Sequence, residues 1–149
     1  MGRPDDLWVL DTSIAAAWFF IDEPLRAPAL EVQRDLRDRP HAYAIPHLFH
    51  SELIHVLARK SGGDEAFVRN GIGLVVRLGI RTLSLSHDML TGAGSWACRG
   101  LSGYDATFVA LAESIGARWL TADVKATRVV GPKLAQSLES LGEPTAETS

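Results

Sequence analysis

The sequence is poor in the features that would commit it to a specialised class. A single cysteine, Cys98, occurs in 149 residues, so no internal disulfide can form and one chain cannot assemble a cysteine-rich zinc site. Within SWACRG it is expected to be a small buried apolar residue. Basic charge is not in excess: 15 Lys and Arg stand against 18 Asp and Glu, a formal charge of −3. That balance argues against coating nucleic acid by bulk charge and leaves open only a local basic rim. No apolar run approaches the ~18 residues of a membrane span. The start, MGRPDDLWVLD, sets Asp5 and Asp6 before a very short apolar stretch, unlike a secretory signal. A cytoplasmic protein with no membrane partner is expected. No internal repeat or linker divides the chain, whose 46% hydrophobic and 22% charged content suits an ordinary globular core.

What is present is an alternation of short apolar runs with helical periodicity. LWVL (7–10), AYAI (42–45, stopped by Pro46), IRTLSL (80–85) and ARWLT (117–121) read as strands. Between them lie helical stretches: Ser13–Ile21, Pro24 to about Asp38, His47 to about Lys60, Asp64–Leu78, two more after possible caps at Ser86 and Ser102, and a short one near Val124–Val130. This order predicts an α/β fold with a mainly parallel sheet of four or five strands, covered on both faces. Residues 134–141 suit either a helix or a final edge strand, with slight preference for the strand. The tail 142–149 lacks apolar anchors and is expected to fray, leaving residues 1–141 as a single domain.

Four acids stand out by position. Asp11 directly follows the first strand and Asp123 lies just past the fourth, where sites form in open parallel sheets; each could equally be a helix N-cap. Glu52 sits on the stripe that its helix should bury, four residues after Leu48 and four before Val56. Burying an unpaired carboxylate is costly, so such a residue wants a cation, whether arginine or metal. Asp105 begins another apolar stripe, and capping with Ser102 would explain it alone but would not explain Glu52 as well. Should all four converge, a divalent ion would offset their repulsion. Hard Mg²⁺ or Mn²⁺ takes oxygen ligands and supports phosphodiester hydrolysis. Thr12, Ser13 and Thr121 could add hydroxyl contacts, or could be plain caps.

Three segments then carry a family resemblance: VLDTSIAAAWFF (9–20), PHLFHSELIHVLAR (46–59) and LSGYDATFVALAESIGARWLTAD (101–123). In content, order and spacing the sequence resembles the PIN-domain ribonucleases, most of all the small VapC-type toxins of toxin–antitoxin pairs. The resemblance implies a three-layer α/β/α domain and RNA cleavage with one or two Mg²⁺ or Mn²⁺ ions. Its metal-binding acids match Asp11, Glu52, Asp105 and Asp123, and its motif hydroxyls match Ser13 and Thr121. It also implies a homodimer and inhibition by a small cognate antitoxin. Ala126 departs from the pattern, standing where a bulky apolar residue often follows the last acid.

Other features have plainer alternatives. Trp18–Ile21 form an apolar stretch that one helix stripe cannot hide, so it should face either a partner or the Pro24–Asp38 helix. His47 and His50 have a chelating spacing but no third ligand, which favours an exposed polar face. Arg99, Lys125 and Arg128 are candidate RNA-phosphate contacts, although scattered basic residues are commonly just solvated. Two other functions remain in contention. One is a non-catalytic module that keeps the fold without the chemistry. The other is a phosphoacceptor signalling domain, disfavoured because AYAI ends in Pro46-His47 rather than in aspartate.

Overall fold

The computed structural model describes residues 6–141; the expected tail lies outside them. Five parallel strands form one sheet in the order β3-β2-β1-β4-β5: β1 Trp8–Leu10, β2 Tyr43–Pro46, β3 Arg81–Leu83, β4 Arg118–Thr121 and β5 Ala135–Ser137. Eight α-helices connect and follow them: α1 Thr12–Ala17, α2 Arg26–Asp38, α3 Leu48–Lys60, α4 Glu65–Arg77, α5 His87–Cys98, α6 Gly103–Ile115, α7 Val124–Val130 and α8 Leu138–Leu141, with a 3-10 turn at Pro40–Ala42 before β2. Parallel neighbours require crossovers, and right-handed crossovers place α1–α4 on one face and α5–α7 on the other. The packing of α1 on α3, α3 on α4 and α5 on α6 agrees with this. Trp8, Val9 and Leu10 are buried on both faces, as a central parallel strand must be.

Local chemistry accounts for the element boundaries. Asp64, Ser86 and Ser102 each accept a main-chain N–H in the first turn of α4, α5 and α6, so both suggested serine caps operate. Gly116 closes α6 at φ 70°, a left-handed conformation that costs glycine nothing. Its C-terminus leads at once into β4, so the opposite end of α6, with Asp105, lies toward the carboxyl ends of the strands.

Four sequence expectations need correction. The first helix stops at Ala17 instead of Ile21, because Trp18 and Phe19 turn tightly back onto Ala15 and Ala16. The Trp18 indole donates to the Ala29 carbonyl at 2.8 Å, and Phe19 and Phe20 pack their rings on Phe67 of α4. Ile21 alone of that stretch stays 88% exposed. Pro46 does not stop β2 before itself but ends it, opposite Leu83. Residues 134–141 contain both proposed alternatives, strand β5 and then helix α8. Cys98 is exposed, since it lies at the end of α5 off the stripe that buries Ala93 and Trp96.

Candidate active site

Strand order reverses between β1 and β4, and such a switch point, beyond the carboxyl ends of the strands, is where open parallel sheets place their sites. The main chain joins the two strands there, with the Asp11 N–H donating to the Leu120 carbonyl at 2.9 Å. Asp11 caps α1 and is only 8% exposed. Its Oδ2 accepts from the Ser13 N–H at 3.0 Å and its Oδ1 from the Trp119 indole at 3.2 Å. Burial pushes its pKa up, and these donors only partly oppose that.

Ser13 and Thr121 tie the two strand ends together. The Ser13 hydroxyl accepts from the Ala122 N–H at 3.1 Å, and the Thr121 hydroxyl accepts from the Asp123 N–H at 3.2 Å. Both hydroxyls also hydrogen-bond to the Asp11 carboxylate, so they join the loop that presents Asp123 to the first acid. Asp123 caps α7 by accepting from the Ala126 N–H at 3.1 Å and is exposed. Thr12 lies within 3.5 Å of Glu52 Oε1, reaching from α1 to α3.

Glu52 and Asp105 enter from opposite faces of the sheet, and both are half-buried. Burial, reinforced by the charges of Asp11 and Asp105, raises the Glu52 pKa to about 7. Burial, reinforced by Asp11 and Asp123, raises that of Asp105 to about 6. The four acids thus share one electrostatic environment. None forms an ion pair with a lysine or arginine among the described residues.

Among the described residues no three Asp, Glu, His or Cys side chains lie close enough together to hold a metal ion between them. The donor set still fits a hard divalent ion: it is all oxygen, negative and partly desolvated. Mg²⁺ needs only one or two direct carboxylates because water and substrate oxygens complete its shell.

The remaining candidates lie less centrally. Arg99 stacks its guanidinium on Trp96 at 4.5 Å. Lys125 and Arg128 are exposed on α7. Arg128 lines a separate hollow of about 310 Å³ with Thr127, Gln136 and Ser137, which none of the four acids touches. His47 is exposed and within 3.2 Å of the Ser84 hydroxyl, while His50 lies edge-on to Phe49, so neither acts as half of a chelate.

Two residues escaped the sequence reading. Trp119 looks like core from its strand, and only the β1–β4 register, Val9 opposite Trp119, brings its indole to Asp11. Tyr104 precedes Asp105 and is 62% exposed beside Glu52; an aromatic next to a suspect acid was the available signal.

The sheet order also changes the case against a phosphoacceptor. The middle strand is β1, and it does end at an aspartate, Asp11. What disfavours that function is that Asp11 is only 8% exposed and both its oxygens already accept hydrogen bonds, which leaves it poorly placed to attack a phosphoryl donor.

Known proteins give a consistent picture. No curated protein sequence matches the chain significantly. Among solved structures, the Mycobacterium tuberculosis VapC20, described as a sarcin–ricin-loop-cleaving toxin, superposes with a TM-score of 0.66 at 18% identity, covering 85% of this chain and 97% of that one. PAE2754 from Pyrobaculum aerophilum superposes at 0.64 with 24% identity, over 94% and 95% of the two chains. The DNA-bound VapBC of Salmonella typhimurium gives 0.65 at 11% identity, over 89% and 98%. These likenesses establish the fold. The sequence profile of the PIN domain matches residues 8–132, a span that includes all four acids and four of the five strands, and the chain therefore belongs to the PIN-domain family.

Proposed function

We propose that this protein is a divalent-metal-dependent endoribonuclease and the toxin of a toxin–antitoxin pair. One observation carries the reading: Asp11, Glu52 and Asp105, from three different elements, are all raised in pKa by burial, and the Asp11 charge raises Glu52 and Asp105 further, with no ion pair to a basic residue among the described residues. A fold can tolerate such a cluster at neutral pH when a cation joins it.

In this reading Asp11, Glu52, Asp105 and Asp123 hold one or two Mg²⁺ or Mn²⁺ ions. Such an ion, when bound, supplies a Lewis acid that neutralises the carboxylates, activates water and offsets charge on the leaving oxygen. The chain's own residues prepare the place. Trp119 and the Ser13 N–H keep the Asp11 carboxylate in one orientation, and Thr12 reaches Glu52. Near neutral pH, Glu52 and Asp105 carry protons part of the time, and they give these up as a cation arrives. Arg99, Lys125 and Arg128 are assigned to the RNA backbone outside the acids.

Similarity to a toxin that cleaves the sarcin–ricin loop supports RNA as substrate. Similarity to VapBC assemblies supports an inhibitory protein partner. A homodimer is part of the proposal, and exposed Leu74, Val76 and Leu90 offer apolar surface for such contacts. So is a cytoplasmic setting: no helix among the described residues is long and apolar enough to cross a membrane.

Purified protein freed of any partner is expected to cut RNA with Mg²⁺ or Mn²⁺. Excess EDTA, Asp11→Asn or Asp105→Asn should each lower the rate by roughly 10²-fold or more, a loss on the scale of removing one electrostatic catalytic contact. Full activity in both substitutions, or in excess EDTA, would overturn the metal-dependent mechanism, whereas no cleavage of any RNA with either ion would return the protein to the non-catalytic module.

A further inference from the structure

The face of α3 that carries Glu52 extends beyond the acids. Leu48, Ser51, Glu52, His55 and Val56 recur at three- and four-residue steps, and with Tyr104 of α6 they line a cleft of about 390 Å³. That volume falls within the range of roughly 300–1,000 Å³ typical of small-ligand sites. Glu52 belongs both to this cleft and to the acid cluster, and Tyr104 adjoins Asp105 in sequence, so whatever fills the cleft lies directly beside the reacting centre.

The lining selects the occupant by charge and shape. It contains no lysine or arginine, so nothing in it would hold a phosphate by charge. A neutral planar ring needs no such charge. Leu48, Val56 and the Tyr104 ring offer apolar contact, and the exposed Ser51 and His55 offer a hydroxyl and an imidazole edge. Tyr104 leaves 62% of its surface exposed, an open aromatic platform of the kind on which unpaired bases stack in proteins that bind single-stranded RNA.

We propose that this cleft is a nucleobase subsite, in which an unpaired base next to the scissile phosphate lies on the Tyr104 ring and presents its edge to Ser51 and His55. The inference rests on the ribonuclease reading of the adjacent acids. It makes Tyr104 a determinant of preference for unstacked RNA segments, without a part in the bond-breaking step.

The test uses the full chain, Mn²⁺ and an oligoribonucleotide in which each base around the cut is replaced in turn by an abasic ribose. One position within a nucleotide or two of the cleaved bond should slow the wild type about 5- to 150-fold, the worth of one base stacked on an aromatic ring. Tyr104→Ala should slow cleavage of the intact oligonucleotide by a similar factor and become indifferent to that abasic site. Tyr104→Phe, which keeps the ring, should behave as wild type. Equal cleavage by wild type and Tyr104→Ala, or equal sensitivity to the abasic site, overturns the subsite. If the wild type cuts no RNA, the ribonuclease reading fails on its own, and metal-free binding still decides the subsite. In that measurement 2-aminopurine at the corresponding positions should be quenched by wild type and Tyr104→Phe but not by Tyr104→Ala. Identical fluorescence with all three proteins overturns the proposal.

Discussion

Trp119 donates its indole N–H to Oδ1 of Asp11 at 3.2 Å, from the neighbouring strand and across 108 residues of sequence. Trp119 is fully buried, so the bond is shielded from water, and it adds to the hydrogen bonds that Ser13 and Thr121 give the same carboxylate. It favours the ionised carboxylate, the form a metal ligand must take.

Trp119→Phe keeps most of the packing and removes the donor. Losing one of the donors to a buried carboxylate costs about 1–3 kcal/mol, and this loss should appear in urea unfolding. Asp11 should also bind a cation less readily, so Mn²⁺ titration by calorimetry should show weaker binding than in wild type. Unchanged binding would make the indole contact merely structural.

Stability without metal should depend on pH in a direction set by the raised acids. Glu52 moves from an ordinary 4.5 to about 7, and Asp105 from 3.8 to about 6. Below their ordinary values both folded and unfolded chains hold these protons. As pH rises through the window up to about 7, the unfolded chain releases them first, and stability falls. Each proton so exchanged is worth at most about 1.4 kcal/mol per pH unit, and less here because both groups are partly solvated. Unfolding in EDTA from pH 5 to 8 should show the decline, and Glu52→Gln should flatten it.

Asp35 should act in the opposite sense at low pH. Its carboxylate accepts from Arg39 at 2.8 Å and from the Tyr43 hydroxyl at 2.6 Å, and the Arg39 contact, with help from Tyr43, holds its pKa below the usual 3.8. Its contribution is complete above pH 3.8 and disappears as pH falls through the lowered value. Tyr43→Phe should cost about 0.5–1.5 kcal/mol near neutrality, and the deficit should shrink in acid as the wild type loses the same interaction.

A divalent ion should reverse the penalty at the acids. Adding Mg²⁺ or Mn²⁺ at pH 7.5 should raise the thermal midpoint of wild type, because a ligand that binds only the folded state stabilises it. Glu52→Gln should start higher than wild type in EDTA and gain less from the ion. Equal shifts in both proteins would remove Glu52 from the metal site.

Gly71 tests the seam between α3 and α4. A methyl group there would meet Leu57 Cδ1 at 3.1 Å and Phe19 Cε1 at 3.4 Å. Alanine gains about 1 kcal/mol in helix propensity, whereas overpacking a core costs about 1–3 kcal/mol. Leu57 is fully buried and has little room to yield, so Gly71→Ala should be net destabilising in thermal unfolding.

Much of this molecule was legible in one dimension. The alternation of apolar runs and helical periodicity implied the parallel α/β fold, since each element's hydrophobic repeat depends only on its own sequence. Glu52 and Asp105 stood out because a carboxylate on an apolar stripe conflicts with burial wherever the helix packs. Local periodicity could not reveal where α1 ends, because aromatic contacts with α2 and α4 decide it. Nor could it join strand and helix within residues 134–141, where pairing with β4 ends after three residues. The sequence by itself determined the acids and the elements that carry them. The tertiary structure decided that the strand order reverses between β1 and β4, that Trp119 orients Asp11, and that Tyr104 opens a cleft beside Glu52. These relationships depend on register and crossover between distant segments, and no local pattern encodes the distance between two chains of atoms that meet only when the sheet closes.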